Sequence, residues 1–161
     1  MLTTQPVGGQ EFLKNALAKF TINQDIFGQV ISWSVLSETY LIVRATFQDL
    51  DEIIIQGLQL EKDLPDALDD NSKGRFYGAL VLALSLREPD HPDISRIQKK
   101  CDYLIGKCSD MQVLSTLGAY LCLSYVWIGL MNRAESLVKQ LEPILERTDI
   151  TYTTRLNFNV I

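Results

Sequence analysis

One histidine, His91, stands in a chain of 161 residues, and the three cysteines, Cys101, Cys108 and Cys122, show no CxxC spacing. Zinc sites need three or four His, Cys or carboxylate ligands at short, regular spacings, so this inventory gives no metal site. An odd number of thiols makes no disulfide framework, and free buried cysteines suit a reducing cytoplasm. Cys101 and Cys108 are seven apart, which on one helix puts them two turns and roughly 10 Å apart, too far for a disulfide. Clustered basic residues are missing too: the densest spot is Lys99 and Lys100 with Arg96, against a net charge of −5. Phosphate backbones are held by grouped Lys and Arg, so direct nucleic-acid binding is not expected.

The motifs of catalysis are equally scarce. GxSxG, the P-loop and GxGxxG do not occur. Ser136 and Lys139 match an SxxK pattern, but the SDN and KTG companions of that chemistry are lacking. From Asp69, Asn71 and Gly74 fit positions three and six of a calcium loop; Lys73 at five and Leu80 at twelve remove two ligands, leaving a solvated loop. No acid, base, metal ligand or cofactor converges, so a non-catalytic role is expected. His91, between Pro89 and Pro92, reads as a turn-locking side chain.

What is present is hydrocarbon in a repeated order. Hydrophobic residues make up 47% and charged residues 22%, a globular balance. Met111 to Asn132 holds no charged residue, and Arg133 to Arg147 alternates charge and hydrocarbon at helical spacing. The same order, a helix with almost no charge before a shorter charged one, recurs about every forty residues. A helix apolar nearly all round cannot lie on a surface, and stacked repeats give it neighbours on several sides. Met111–Asn132 is long enough for a crude membrane window. Gln112, Ser115, Thr116 and Ser124 within it, and the amphipathic helix after it, favour a buried helix instead. Glu11, Lys14 and Lys19 break the first apolar run, so no signal peptide is read.

The periodicity predicts about seven or eight helices in one domain over residues 11–161, after a loose tail from Met1 to Gln10. A short helix covers Glu11–Phe20, and Asn23 begins the next, running to about Phe47. Asp49, with Glu52 three residues on, caps a helix over Leu50–Leu60. Pro65 and the run Asp66–Gly74 break it. An almost wholly apolar helix spans Ser72–Arg87. After the double-proline turn, Asp93 caps a helix striped by Ile94, Ile97, Cys101, Leu104 and Ile105. Asp149 to Ile161 reads as the start of a fourth first helix (Tyr152, Leu156, Phe158), with no polar cap at its end, as in a piece of a longer protein. Trp33, Tyr40, Tyr77, Tyr120, Tyr125 and Trp127 recur on the uncharged helices, either as core or as the lining of a groove.

Tyr125 to Glu135 resembles the turn of a tetratricopeptide repeat, where a Gly ends the first helix and a small Ala five residues on admits the second. Gly129 and Ala134 hold those positions, and Leu141 stands where another small residue is usual. Gln48–Ile53 is similar, with Gln48 and Ile53 replacing the Gly and Ala. Over about residues 25–150 the degenerate repeats resemble the helical region of large bacterial transcription regulators of the maltose-regulator and antibiotic-regulator type. That resemblance implies an all-α solenoid of antiparallel helical hairpins. It also implies a sensor or interaction role for a protein or small effector, with possible self-association. If the turns align, Glu38, Ile42, Leu123 and Trp127 would line the groove. A free-standing helical scaffold is the other expectation.

Overall fold

The computed structural model describes residues 6–41 and 50–145, and side chains within 8–41 and 50–143. Among the described residues there are seven helices and no strand. They are α1 (Pro6–Ile22), α2 (Ile26–Thr39), α3 (Leu50–Lys62), α4 (Asp70–Arg87), α5 (Ile94–Ile105), α6 (Met111–Trp127) and α7 (Met131–Leu145). The chain divides into two compact units, Met1–Leu68 and Asp69–Ile161.

In the first unit, α1 begins at Pro6, so residues 6–10 are helical and not a loose tail. Proline costs nothing in a first turn, where its missing N–H has no helical acceptor. The helix ends in a Schellman motif: the Gln24 amide donates to Thr21 (3.1 Å) and the Asp25 amide to Phe20 (2.9 Å). Gln24 takes the left-handed position at φ +56. Asn23 therefore belongs to the turn, and the cap of α2 is Asp25, which accepts from the Gly28 amide at 2.9 Å. The expected continuation of this helix to Phe47 and the Asp49 cap fall in residues 42–49, outside the described residues. Trp33, fully buried, joins α2 to α3: its Nε1 donates to the Ile53 carbonyl at 3.0 Å.

In the second unit, Asp69 caps α4, accepting from the Ser72 amide at 2.9 Å and the Ser72 hydroxyl at 2.6 Å. These bonds hold the Asp69 carboxyl below its usual range. Asp70 to Gly74 are thus the first turn of a helix, not a loop. His91 locks the next turn as expected: its Nδ1 accepts from the Asp93 amide at 3.1 Å. Asp93 stands at the start of α5 without capping it and instead pairs with Arg96 at 2.9 Å. Cys108 lies beyond the end of α5 and does not share its face with Cys101. Its thiol donates to the Asp70 carbonyl at 3.3 Å.

The contacts of α4 with α6 have a constant sequence offset. Asn71 Oδ1 accepts from the Asp110 amide at 3.0 Å, Gly74 lies against Val113, Gly78 against Leu117, and Ser85 Oγ stands 2.6 Å from Ser124 Oγ. Each pair is 39 residues apart, so α4 and α6 run in the same direction and α5 returns the chain between them. Residues 71, 78 and 85 repeat every two turns, as do 110, 117 and 124. Small side chains on α4 permit the approach: a Cβ on Gly78 would lie 3.4 Å from the Leu117 Cα. The second helices are held differently. On α6, Gly118 receives Leu141 of α7, a large residue where the repeat resemblance implies a small one.

Candidate functional site on α6 and the turn after it

The uncharged sequence of α6 is buried on most sides: Leu114, Leu117, Leu121, Cys122 and Tyr125 are inaccessible or nearly so. One stripe stays outside. Gln112, Thr116, Tyr120, Leu123 and Trp127 follow at intervals of four, four, three and four, which is one helix face. Gln112 and Trp127 are exposed, and the three between them are half-buried.

The helix ends two residues before the Gly that closes it, earlier than the expected Asn132. Gly129 takes φ +82, and a second Schellman motif follows: the Gly129 amide donates to Val126 (3.1 Å) and the Leu130 amide to Tyr125 (2.7 Å). Gly129 has the role implied by the repeat-like turn, and Ala134 is buried behind it. The turn turns hydrocarbon outward. Trp127 is 59% exposed, Met131 52%, Val126 40% and Leu130 37%. Gly129 to Arg133 line a shallow, open depression of about 210 Å³.

Beneath this surface the turn is anchored. Tyr125 is buried, and its hydroxyl donates to Asp102 Oδ2 on α5 at 2.7 Å. Arg133, in the first turn of α7, sits with its guanidinium carbon 5.8 Å from the centre of the Tyr125 ring. Burial, helped by the Asp102 carboxylate, pushes the Tyr125 phenol above its usual range. It is a neutral donor, not an acid-base group. One residue before it, Ser124 reaches α4 and α5 through Ser85 and Gln98. Three helices therefore fix the residues from which Leu123 and Trp127 project.

Leu123 and Trp127 are brought together on this face, one turn apart. Glu38 is half-buried on α2 in the first unit, and Ile42 lies outside the described residues, as does the stretch Asp149 to Ile161. Trp33, Tyr40, Tyr77 and Tyr125 are core residues. Sequence reasoning missed Val126, Leu130 and Met131.

Among the described residues no group of three or more His, Cys, Asp or Glu is placed to hold a metal ion. Burial raises all three thiols, Cys108 to about 11, so they are protonated and poor nucleophiles at neutral pH. Ser136 and Lys139 are both exposed on α7. Among the described residues no helix is long and apolar enough to cross a membrane. No family model, no curated protein and no solved structure matches this chain, so its function is read from its own geometry.

Proposed function

We propose that the chain is a non-catalytic interaction module, a short stack of antiparallel helical hairpins that holds a protein or small effector on the outer face of α6. One observation carries this reading. The Trp127 indole is more than half exposed, and Leu130 and Met131, three and four residues on, are exposed too, around a turn tied down by the Tyr125–Asp102 hydrogen bond and shaped by the left-handed Gly129. Large aromatic side chains on a preorganised support are the usual anchors of an interface, because little rotamer freedom is left to lose on binding. The 39-residue offset between α4 and α6 supports the hairpin-stack reading, since stacked repeats bring successive first helices together in one direction.

With the repeat resemblance, the reading takes a specific form: a sensor or interaction segment of a cytoplasmic bacterial transcription regulator, in which binding would bias the orientation of flanking domains. A self-assembling scaffold is the second reading. It is favoured by the apolar side chains that the first unit leaves outside, Phe12 at 72% and Ile22 at 80% exposure.

The test is parallel affinity capture with the parent chain and the Trp127→Ala, Met131→Ala variant, each weighed by native mass spectrometry. A bound protein or small molecule lost in the variant, with thermal stability unchanged, supports the module reading. Homo-oligomers alone support the scaffold. Loss of stability in step with binding makes Trp127 a packing residue and removes the proposal.

A further inference from the structure

The interior of the second unit holds a line of polar groups that crosses three helices. Ser85 and Ser124 are inaccessible to solvent, and Gln98 is 2% exposed. Gln98 Nε2 lies 3.0 Å from Ser124 Oγ, Ser124 Oγ lies 2.6 Å from Ser85 Oγ, and Ser85 Oγ lies 2.6 Å from the Val81 carbonyl. The direction of the line follows from valence. The amide nitrogen only donates, the carbonyl only accepts, and each hydroxyl has one proton. Gln98 therefore donates to Ser124, Ser124 to Ser85, and Ser85 to Val81.

We propose that this line is a register lock, which selects the 39-residue offset of α4 against α6 from other offsets that their apolar faces would accept. Away from Ser85 the interface with α6 sets Gly74 against Val113 and Leu117 and Gly78 against Leu117 and Tyr120, with the Cys108 thiol, which precedes α6, also against Gly74. Glycines facing hydrocarbon give no directional preference, and α6 could slide along them by one turn with modest loss of contact. The polar line forbids the slide. Moved by four residues, Ser124 leaves Ser85 and faces Val81, while Ser85 keeps only its bond to the Val81 carbonyl of its own helix. The Gln98 amide, fixed on α5, loses its acceptor. Buried polar groups without partners are costly in a dry interior, so only one offset satisfies all of them. Asn71 marks the same offset at the other end. Its Oδ1 accepts from the Ser109 and Asp110 amides at 2.9 and 3.0 Å, but in exposed surroundings where water can replace it. The discriminating end is the buried one. On this proposal the polar line contributes uniqueness more than stability. Ser124 adjoins Leu123 and precedes Trp127 by three residues, so the lock also fixes the outer face of α6 relative to α4.

The experiment uses the full chain in three forms: Ser124→Ala, the pair Gln98→Leu with Ser124→Ala, and the triple Ser85→Ala, Gln98→Leu, Ser124→Ala. Thermal unfolding is read by circular dichroism, and α6 amides by ¹H–¹⁵N correlation spectra and relaxation dispersion. Ser124→Ala strands the Gln98 amide and should lower Tm by about 3–8 °C. Adding Gln98→Leu should restore at least half of that loss, because the stranded donor is gone. The triple variant should unfold within about 3 °C of the parent, yet show doubled or exchange-broadened amides along α6. A neutral Ser124→Ala, or a triple variant with one sharp set of α6 amides, overturns the lock. If the triple variant does not fold, the pair decides: no recovery by Gln98→Leu overturns it.

Discussion

The indole of Trp33 occupies the space that a side chain on Gly57 would fill, and its Nε1 donates to the carbonyl of Ile53, one turn earlier on the same helix. The glycine has no positive φ to explain it. The indole, the largest side chain of α2, takes the room beside the α3 backbone that a Cβ would need. Gly57→Ala should gain about 1 kcal/mol of helix propensity and lose about 1–3 kcal/mol to overpacking, for a net destabilisation. In a Trp33→Phe background the smaller ring should make the same substitution neutral or stabilising. Denaturant unfolding of the four chains measures this coupling, and additive effects would refute it.

The two Schellman turns differ at one position, and the difference predicts opposite substitutions. Gly129 is free to adopt φ +82, whereas Gln24 at φ +56 pays the steric cost of a Cβ in the left-handed region. Gln24→Gly should stabilise by about 0.5–1 kcal/mol, and Gly129→Ala should destabilise by about 1 kcal/mol. Chemical denaturation resolves both signs. Destabilisation by Gln24→Gly would mean that the glutamine side chain is needed at this turn.

Alkaline pH should weaken the fold before it affects the surface. Burial raises Cys101, Cys108 and Cys122 from their ordinary value near 9, Cys108 to about 11. A thiol raised in the folded state has its stabilising contribution intact below pH 9. Above that, the unfolded chain ionises first, and stability falls as pH rises toward 11. Tm measured from pH 8 to 11 should decline over this window. Replacing Cys108 by Ala should flatten part of the decline, and an unchanged slope would show that the thiol is not protected.

The two tryptophans should report separately. Trp33 is enclosed and bonded, and Trp127 is more than half exposed. Acrylamide should quench Trp33→Phe, which retains Trp127, several-fold more efficiently than Trp127→Phe. A bound partner should then blue-shift the emission of Trp33→Phe alone. Equal quenching of both variants would place Trp127 inside and remove the candidate face.

Among the described residues the all-helical make-up was legible because the stretches with little charge and the amphipathic stripes are long. Boundaries were misread where local chemistry overrode composition. Pro6 with Gly8 and Gly9 looked like a tail, but proline is at home in a first turn. Asp66–Gly74 looked like a loop because three acids and an Asn suggest solvent, whereas Asp69 caps and Asp70 enters the helix. Leu123 and Trp127 followed from helical spacing. Val126, Leu130 and Met131 did not, because hydrocarbon in an uncharged run looks like core until the turn at Gly129 shows which side it faces. The line from Gln98 to Val81 was hidden altogether. Its members are 26 and 39 residues apart, and isolated serines on an apolar helix give no sign of meeting.

The constant offset between α4 and α6 has a consequence for how such a chain tolerates change in length. A residue inserted in the turn from Glu88 to Asp93, or between Gly106 and Ser109, lengthens the path without rotating either helix face. One inserted between Gly78 and Ser85 turns everything beyond it by about 100° around the axis and parts Ser85 from Ser124. A change of length is therefore tolerated in the connections and not within the helices that carry the polar pairs.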